Sequence, residues 1–278
     1  MPLIQDPDLA SVLMDADVDD LGILIDHITD KGEGRISLAA SSCAALMRAK
    51  ESGQVGESAR ALIVEELSRF AGNSLMNLFR GGGGVSYREI ARDVADHLKA
   101  SHHAGSDVAA LEMAILEKLT EQSLSKMSEN EKVEFFKQFG IPYAAGSGVA
   151  VAAGLVARIV ASNSTGYQLS TLIANGVVKA LLGRGLGVSL GSVAGSAALV
   201  APVTLALSVI WGLYGLTSPA YRITVPCVIH LAYMRRKREF ANACRRCGAP
   251  PAAGARFCNS CGAPLAQHPA LPYSASSA

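Results

Sequence analysis

The chain has 278 residues, half of them hydrophobic and 18% charged, so it carries enough apolar residues for a core spread over one or two domains. Its net charge of +1 hides an asymmetry, because residues 1–140 carry 14 Lys and Arg against 23 Asp and Glu, whereas residues 141–278 carry 11 against a single acid. The acidic half argues against nucleic-acid binding there, while the basic half suits anionic lipid, nucleic acid or the acidic half itself.

Residues 1–140 have the apolar periodicity of amphipathic helices and no persuasive strand pattern. This region is therefore predicted to be an acidic helical domain. Ser86 is the predicted N-cap of one helix, and Ser128 to Glu131 has the spacing of a capping box. The predicted helices lie at about 17–28, 38–50, 57–79, 86–99, 107–124 and 132–139.

The composition changes abruptly at residue 140, and residues 141–240 form a hydrophobic, glycine-rich region that ends in a basic helix. Small residues recur there at every fourth position, which is the spacing of one helix face and a known way to pack helices in lipid. The predicted helix-packing residues are Gly146, Ala150 and Gly154, then Gly183, Gly187, Gly191 and Gly195. A turn is predicted at 162–167.

Two interpretations of this region stay open. In the first, arms near 143–161 and 186–216 form a membrane-inserting hairpin, since the 37 residues between Arg184 and Arg222 carry no charge and exceed the length that spans a bilayer. The basic run would then bind lipid headgroups or other anions at the cytoplasmic surface. Its residues are Arg235, Arg236, Lys237 and Arg238. In the second, the same helices form a buried core on which the acidic helices dock.

Two C-x-x-C-G turns follow the basic run, the first with Cys244 and Cys247 and the second with Cys258 and Cys261. Each turn presents two sulfurs to one ion, and four thiolates complete a tetrahedral shell with no position for water or substrate. The spacing predicts a structural Zn²⁺ ribbon at 241–265 in a reducing compartment, with redox-active dithiols as the alternative. Residues 266–278 are rich in Ala, Ser and Pro and are predicted to be disordered.

Three stretches of the helical region carry a family resemblance: DPDLASVLMDADVDDLGILIDHITDKG at 6–32, FAGNSLMNLFRGGGGVSYREIARDVADHL at 70–98 and SPAYRITVPCVIHLAYMRR at 218–236. They resemble an uncharacterised bacterial family, the YaaW-like proteins, and are distantly similar to ubiquinol–cytochrome c chaperones. The resemblance covers about residues 6–240 and implies an all-helical fold. It implies no catalytic residues, and the cysteine module is an addition to it.

The sequence therefore predicts an all-α fold: a multi-helix bundle with a Gly/Ala-rich hydrophobic hairpin and a small C-terminal zinc ribbon. No spacing indicates a catalytic constellation, so we expect a protein that is not an enzyme. The leading hypothesis is a cytoplasmic scaffold or assembly factor associated with the inner membrane, with lipid or a membrane protein as one partner and an unknown protein at the ribbon. Nucleic acid is not expected as a partner, and a homo-oligomer is compatible with the sequence. The alternatives are a soluble chaperone-like adaptor and a pore-forming membrane effector.

Overall fold

The computed structural model describes residues 4–35, 38–72, 85–186, 220–252 and 254–265. In these ranges the chain forms ten α-helices and, apart from one isolated β-bridge, no strand, which confirms the all-α prediction. The helices are α1 (Pro7–Met14), α2 (Val18–Thr29), α3 (Ala40–Glu51), α4 (Glu57–Gly72), α5 (Tyr87–Leu98), α6 (Val108–Leu124), α7 (Glu129–Gln138), α8 (Val149–Ala161), α9 (Asn163–Leu182) and α10 (Tyr221–Asn242).

Several helices begin where a side chain caps the first turn. Ser86 and Ser128 each form a complete capping box, in which the Ser hydroxyl accepts from the third backbone N–H of the helix. The carboxylates of Glu89 and Glu131 accept in return from the backbone N–H of these serines, at 3.0 and 2.7 Å. The predicted N-cap at Ser86 and the predicted capping box at Ser128 are therefore confirmed, although the second helix begins at Glu129 rather than at residue 132.

Helix α10 is the centre of the core. Twelve consecutive residues, from Ile223 to Met234, are buried on every side of the helix. A helix that is apolar all round must be covered on all faces. It packs most extensively against α9 and also contacts α1, α2, α4, α5 and α6. The helix therefore fixes the position of the cysteine module, which begins two residues after Asn242.

One apolar cluster joins residues from Ile4 to Met234. It includes Leu21 and Ile115 from the acidic half as well as Ile173 and Val228 from the glycine-rich region. The core therefore crosses the boundary expected at residue 140, and the division into domains at that residue stays a prediction.

The described residues of the small-residue stripes lie at helix ends or on an exposed helix face, so their role in helix packing stays a prediction. Gly146 lies in the turn before α8, and Gly183 is the left-handed C-cap of α9, with φ values of +81° and +71°. Ala150 and Gly154 are exposed on α8, where a Cβ at Gly154 would meet nothing within 4 Å. Gly187, Gly191, Gly195 and the second hairpin arm, apart from its first residue, lie outside the described residues.

The close approach of backbones occurs instead at Gly166. The expected turn at 162–167 is wrong, because only Ser162 separates α8 from α9 and the two helices meet at 105°. A Cβ at Gly166 would stand 2.8 Å from the carbonyl oxygen of Val160, closer than real Cβ atoms approach backbone. Thr165 stabilises the corner by donating to the carbonyl oxygen of Ile159 at 2.9 Å. The sharp corner therefore depends on a residue without a side chain.

None of the helices in the described ranges is by itself long and apolar enough to cross a bilayer. Helices α8 and α9 pass that test only as a bent pair, on length and composition alone.

Candidate metal centre

The four cysteine sulfurs of the C-terminal module converge on one point. All of them lie within 4.8 Å of one another. The Sγ atoms of Cys244 and Cys261 are 3.7 Å apart, and those of Cys247 and Cys258 are 3.5 Å apart. A tetrahedral ion with metal–sulfur bonds of about 2.3 Å requires sulfur–sulfur distances of about 3.8 Å. The arrangement can therefore hold one metal ion with four protein ligands.

Both C-x-x-C-G turns are built by the same backbone hydrogen bonds. In the first turn the N–H of Gly248 donates to the carbonyl of Cys244 at 2.7 Å, and the N–H of Cys244 donates to Ala249 at 2.9 Å. The second turn repeats the pattern, with Gly262 donating to Cys258 at 2.8 Å. Both glycines have φ near +70°, a region that side chains disfavour. The glycine after the second cysteine thus permits the tight turn in each case.

Backbone amides favour the thiolate form of the first cysteine in each turn. Hydrogen bonds from the amides of Cys247 and Arg246 lower the pKa of Cys244. The equivalent amides of the second turn lower the pKa of Cys258 to about 6. Because metals bind thiolates rather than thiols, these bonds favour the ligand form of two of the four sulfurs.

The pKa of Cys247 is raised because neighbouring sulfurs surround it. The Ala249 amide lowers its pKa, but the sulfurs of Cys261 and Cys258 outweigh this and raise it to about 12. A divalent cation between the sulfurs reverses that effect, since a coordinating thiol loses its proton outright. The donor set therefore fits a soft cation bound by four thiolates.

The module has a small core of its own, separate from that of the helices. Cys244, Cys258 and Ala263 are buried, with Leu265 packed against them. This is too few apolar side chains to hold a fold alone, so a bound metal would supply most of its stability. Only Ala243 separates α10 from Cys244. A hydrogen bond of 3.2 Å from Asn163 Nδ2 to the carbonyl of Gly248 ties the module to the start of α9.

Among the residues that the structure describes, these cysteines form the only group of three or more potential metal ligands. The remaining two cysteines lie elsewhere, Cys227 fully buried in α10 and Cys43 half-buried in α3.

The first residue of the basic run pairs with a buried acid that sequence reasoning did not identify. Arg235 Nε donates to Glu112 Oε2 at 2.7 Å, and the two side chains are 16% and 4% exposed. Tyr87 donates its hydroxyl to Glu112 Oε1 at 2.8 Å. Burial raises the pKa of Glu112 although Arg235 opposes the shift. The only signal in the sequence is a lone acid inside the apolar stretch of α6.

The next residues of the run also contact the chain itself. Arg236 donates to the carbonyl of Val160 at 2.7 Å, which satisfies the end of α8. Lys237 Nζ lies 2.7 Å from Asp20 Oδ2 and also pairs with Asp17 at the start of α2.

Arg238 completes the run by donating to the carbonyl of Ser11 at 2.6 Å and pairing with Asp15 at 2.8 Å. All four basic side chains thus have partners in the helical body, as the buried-core interpretation requires. Their predicted binding of lipid or other anions stays a prediction.

Two buried histidines lie near this network, between α2 and α10. The ring centroids of His27 and His230 are 6.5 Å apart. Burial lowers the pKa of each imidazole to about 3. His230 Nε2 lies 3.1 Å from the carbonyl oxygen of Asp20, and burial raises the pKa of that residue's carboxyl group to about 6. Both histidines are therefore neutral at neutral pH.

A further ion pair lies at the last charge before the uncharged run. Arg184 pairs with Asp26, whose side chain is 2% exposed, and Lys50 pairs with the same carboxylate. These contacts anchor the end of α9 to α2 and α3.

Comparison with known proteins gives several bacterial relatives. A UPF0174 protein of Helicobacter pylori strain J99 is 32% identical over 183 residues, which cover 65% of this chain and 72% of the relative. A second UPF0174 protein of the same strain is 34% identical over 63% of this chain and 87% of its own length. The UPF0174 protein YaaW of Escherichia coli K12 is 29% identical over 63% and 70%.

No family model matches the chain, and no solved structure matches it. The predicted resemblance to YaaW-like proteins is confirmed by these relatives. Similarity to ubiquinol–cytochrome c chaperones stays a prediction, because none of the three is named as one. On identity and coverage, the chain belongs to the UPF0174 family.

Proposed function

We propose that this protein is a non-enzymatic cytoplasmic adaptor, in which a helical body holds a zinc ribbon for contact with a partner protein. The observation that carries the proposal is the closed set of four cysteine sulfurs. Four protein ligands leave a zinc ion no open position for water or substrate, so such a site stabilises a fold rather than catalysing a reaction. Thiolate ligands also suit the reducing cytoplasm.

The attachment of the ribbon supports an adaptor rather than a tethered module. A single residue joins it to α10, and Asn163 contacts it from α9. The ribbon therefore presents its outer surface, with the exposed Arg245, Arg246 and Arg256, in a fixed direction from the body.

Zinc content tests this function directly. We expect one zinc per chain, measured by elemental analysis of the purified full-length protein, and none after Cys258→Ser. Cys43→Ser is the matched control, because it makes the same substitution in a cysteine outside the cluster and should keep the metal. Iron in place of zinc would be detected by the same analysis and by visible absorbance. A wild-type protein without metal, or full zinc content in Cys258→Ser, would contradict the proposal.

A second candidate is a scaffold associated with the cytoplasmic face of the inner membrane. It is favoured by the uncharged run at 185–221 and by exposed apolar side chains at the start of α8, where Val149 is 85% and Val151 49% exposed. Carbonate washing of bacterial membranes tests it. Retention of the tagged protein in the washed pellet supports insertion, and growth arrest on expression would then point to pore formation. Recovery in the supernatant leaves the adaptor without a membrane role.

A further inference from the structure

A groove of about 420 Å³ lies between the end of α10 and the cysteine module. It is lined by the last residues of α10 and by Arg245 and Arg246 of the first cysteine turn. Most of its other lining residues are apolar: Pro251, Ala252, Ala255, Ala263, Pro264 and Leu265. The groove therefore combines an apolar lining with two arginines.

The charge of this groove is not compensated by acids. No Asp or Glu lines it, and the sequence has no acid after Glu239. Arg245 and Arg246 are both exposed, and neither has an ion-pair partner among the described residues. The basic run of α10 differs in this respect, since its side chains are paired with acids or backbone carbonyls of the body. The groove is thus suited to a ligand that supplies anionic groups.

The net charge of the ribbon determines which class of anionic partner it can attract over a distance. The ribbon carries three arginines, the third being Arg256, but Zn²⁺ with four thiolates has a net charge of −2. The module as a whole is then close to +1, which gives little long-range attraction for a polyanion such as RNA or an anionic membrane. Binding must come from short-range contact, and planar guanidinium groups form bidentate, charge-assisted pairs with the carboxylates of a protein partner.

We propose that the groove binds an acidic segment of a partner protein. Carboxylates of the segment pair with Arg245 and Arg246, and an apolar side chain between them contacts the prolines and alanines that line the groove. This inference rests on the proposed function, because the groove is formed by the ribbon whose fold the proposed metal would stabilise. It specifies the chemistry of the protein partner for which the ribbon is proposed.

The probe is a display library of random twelve-residue peptides, selected on the zinc-loaded full-length protein. We expect the enriched peptides to carry Asp or Glu next to Leu, Ile or Val. The affinity of a synthetic peptide of the enriched sequence should fall at least 30-fold in the double variant Arg245→Gln/Arg246→Gln, since one charge-assisted contact is worth roughly tenfold. The matched control is Arg88→Gln/Lys126→Gln, which removes two exposed cations of the helical body that do not line the groove.

Three outcomes would overturn the inference: enriched peptides without acidic residues, equal affinity for the double variant, or displacement of the peptide by a twelve-nucleotide oligouridine at lower concentration than by the peptide itself. Zinc content is measured on the same samples. A zinc-loaded protein that fails these tests refutes the groove alone, whereas a protein without zinc refutes the proposed function and the groove together.

Discussion

The pair of Glu112 and Arg235 offers a quantitative test of how the basic run is held. Glu112→Gln keeps the volume of the side chain but leaves a guanidinium group, 16% exposed, without its counter-charge. Breaking a buried ion pair from one side costs roughly 3–5 kcal/mol, and we expect the low end, about 3 kcal/mol, because Arg235 retains its hydrogen bond of 3.1 Å to the carbonyl of Asp8. For a chain of this size the melting temperature should fall by roughly 6–12 °C.

The assay is urea and thermal unfolding of the metal-loaded protein, followed by circular dichroism. Glu117→Gln is the matched control on the same helix: it is partly exposed, and the nearby Glu121 raises its pKa in addition to burial, so removing its charge should cost nothing. The double variant Glu112→Gln/Arg235→Met should return to within about 2 kcal/mol of wild type, because it removes the unpaired guanidinium group and keeps a side-chain oxygen that accepts from the Tyr87 hydroxyl. A loss below about 1 kcal/mol for Glu112→Gln would refute the assignment of this pair as a buried, coupled contact.

Two further predictions concern the α8–α9 corner and the buried histidines. Gly166→Ala should destabilise the fold by roughly 1–3 kcal/mol, because its Cβ meets a carbonyl oxygen at 2.8 Å, whereas Gly154→Ala should stabilise it by up to about 1 kcal/mol. The urea midpoints of both variants measure this, and equal effects would contradict the close approach. On acidification, His27 and His230 remain neutral in the fold but protonate in the unfolded chain below pH 6.5. Above pH 6.5 the two histidines therefore do not lower the free energy of unfolding. As the pH falls from 6.5 toward 3, each lowers that free energy, by about 2 kcal/mol at pH 5. Asp20 acts in the opposite direction: because its pKa in the fold is raised to about 6, protonation of its carboxyl group raises the free energy of unfolding by about 1 kcal/mol at pH 5. The urea midpoint should therefore fall further between pH 7 and pH 5 in the wild type than in the double variant His27→Gln/His230→Gln. An equal fall in both proteins would contradict the conclusion that both histidines are neutral in the fold.

Features fixed by neighbouring residues were predictable from the sequence. The capping boxes at Ser86 and Ser128 each need only four residues, and both form as expected. The two cysteine turns occupy fewer than twenty residues, and their glycine positions dictate the backbone. The same local reasoning was wrong at the α8–α9 corner, because polar residues near Gly166 look like a loop when the packing of Val160 is unknown.

Features that depend on distant residues could not be predicted. The basic run reads equally well as a membrane-facing cluster, and only the fold brings Glu112 and Asp20 to it, from 123 and 217 residues away in the chain. The burial of α10 was partly visible, since its apolar residues follow no single face, but such a pattern suits a bilayer and a protein core alike. Which charged residues of distant helices pair with one another depends on the fold, and a single sequence does not show these pairs.

The contact between Arg238 and Ser11 has a consequence for how the chain is made. These residues are separated by 227 positions, so the first helices meet their last partner only after nearly the whole chain has been synthesised. At bacterial translation rates that interval is roughly 10–45 s, during which the apolar faces of α1 and α2 have no α10 to cover them. The nascent chain is therefore most exposed to aggregation and to chaperone binding before residue 240 emerges. Rare codons upstream of α10 would lengthen that window, and the core closes only once the helix that directly precedes the cysteine module has been made.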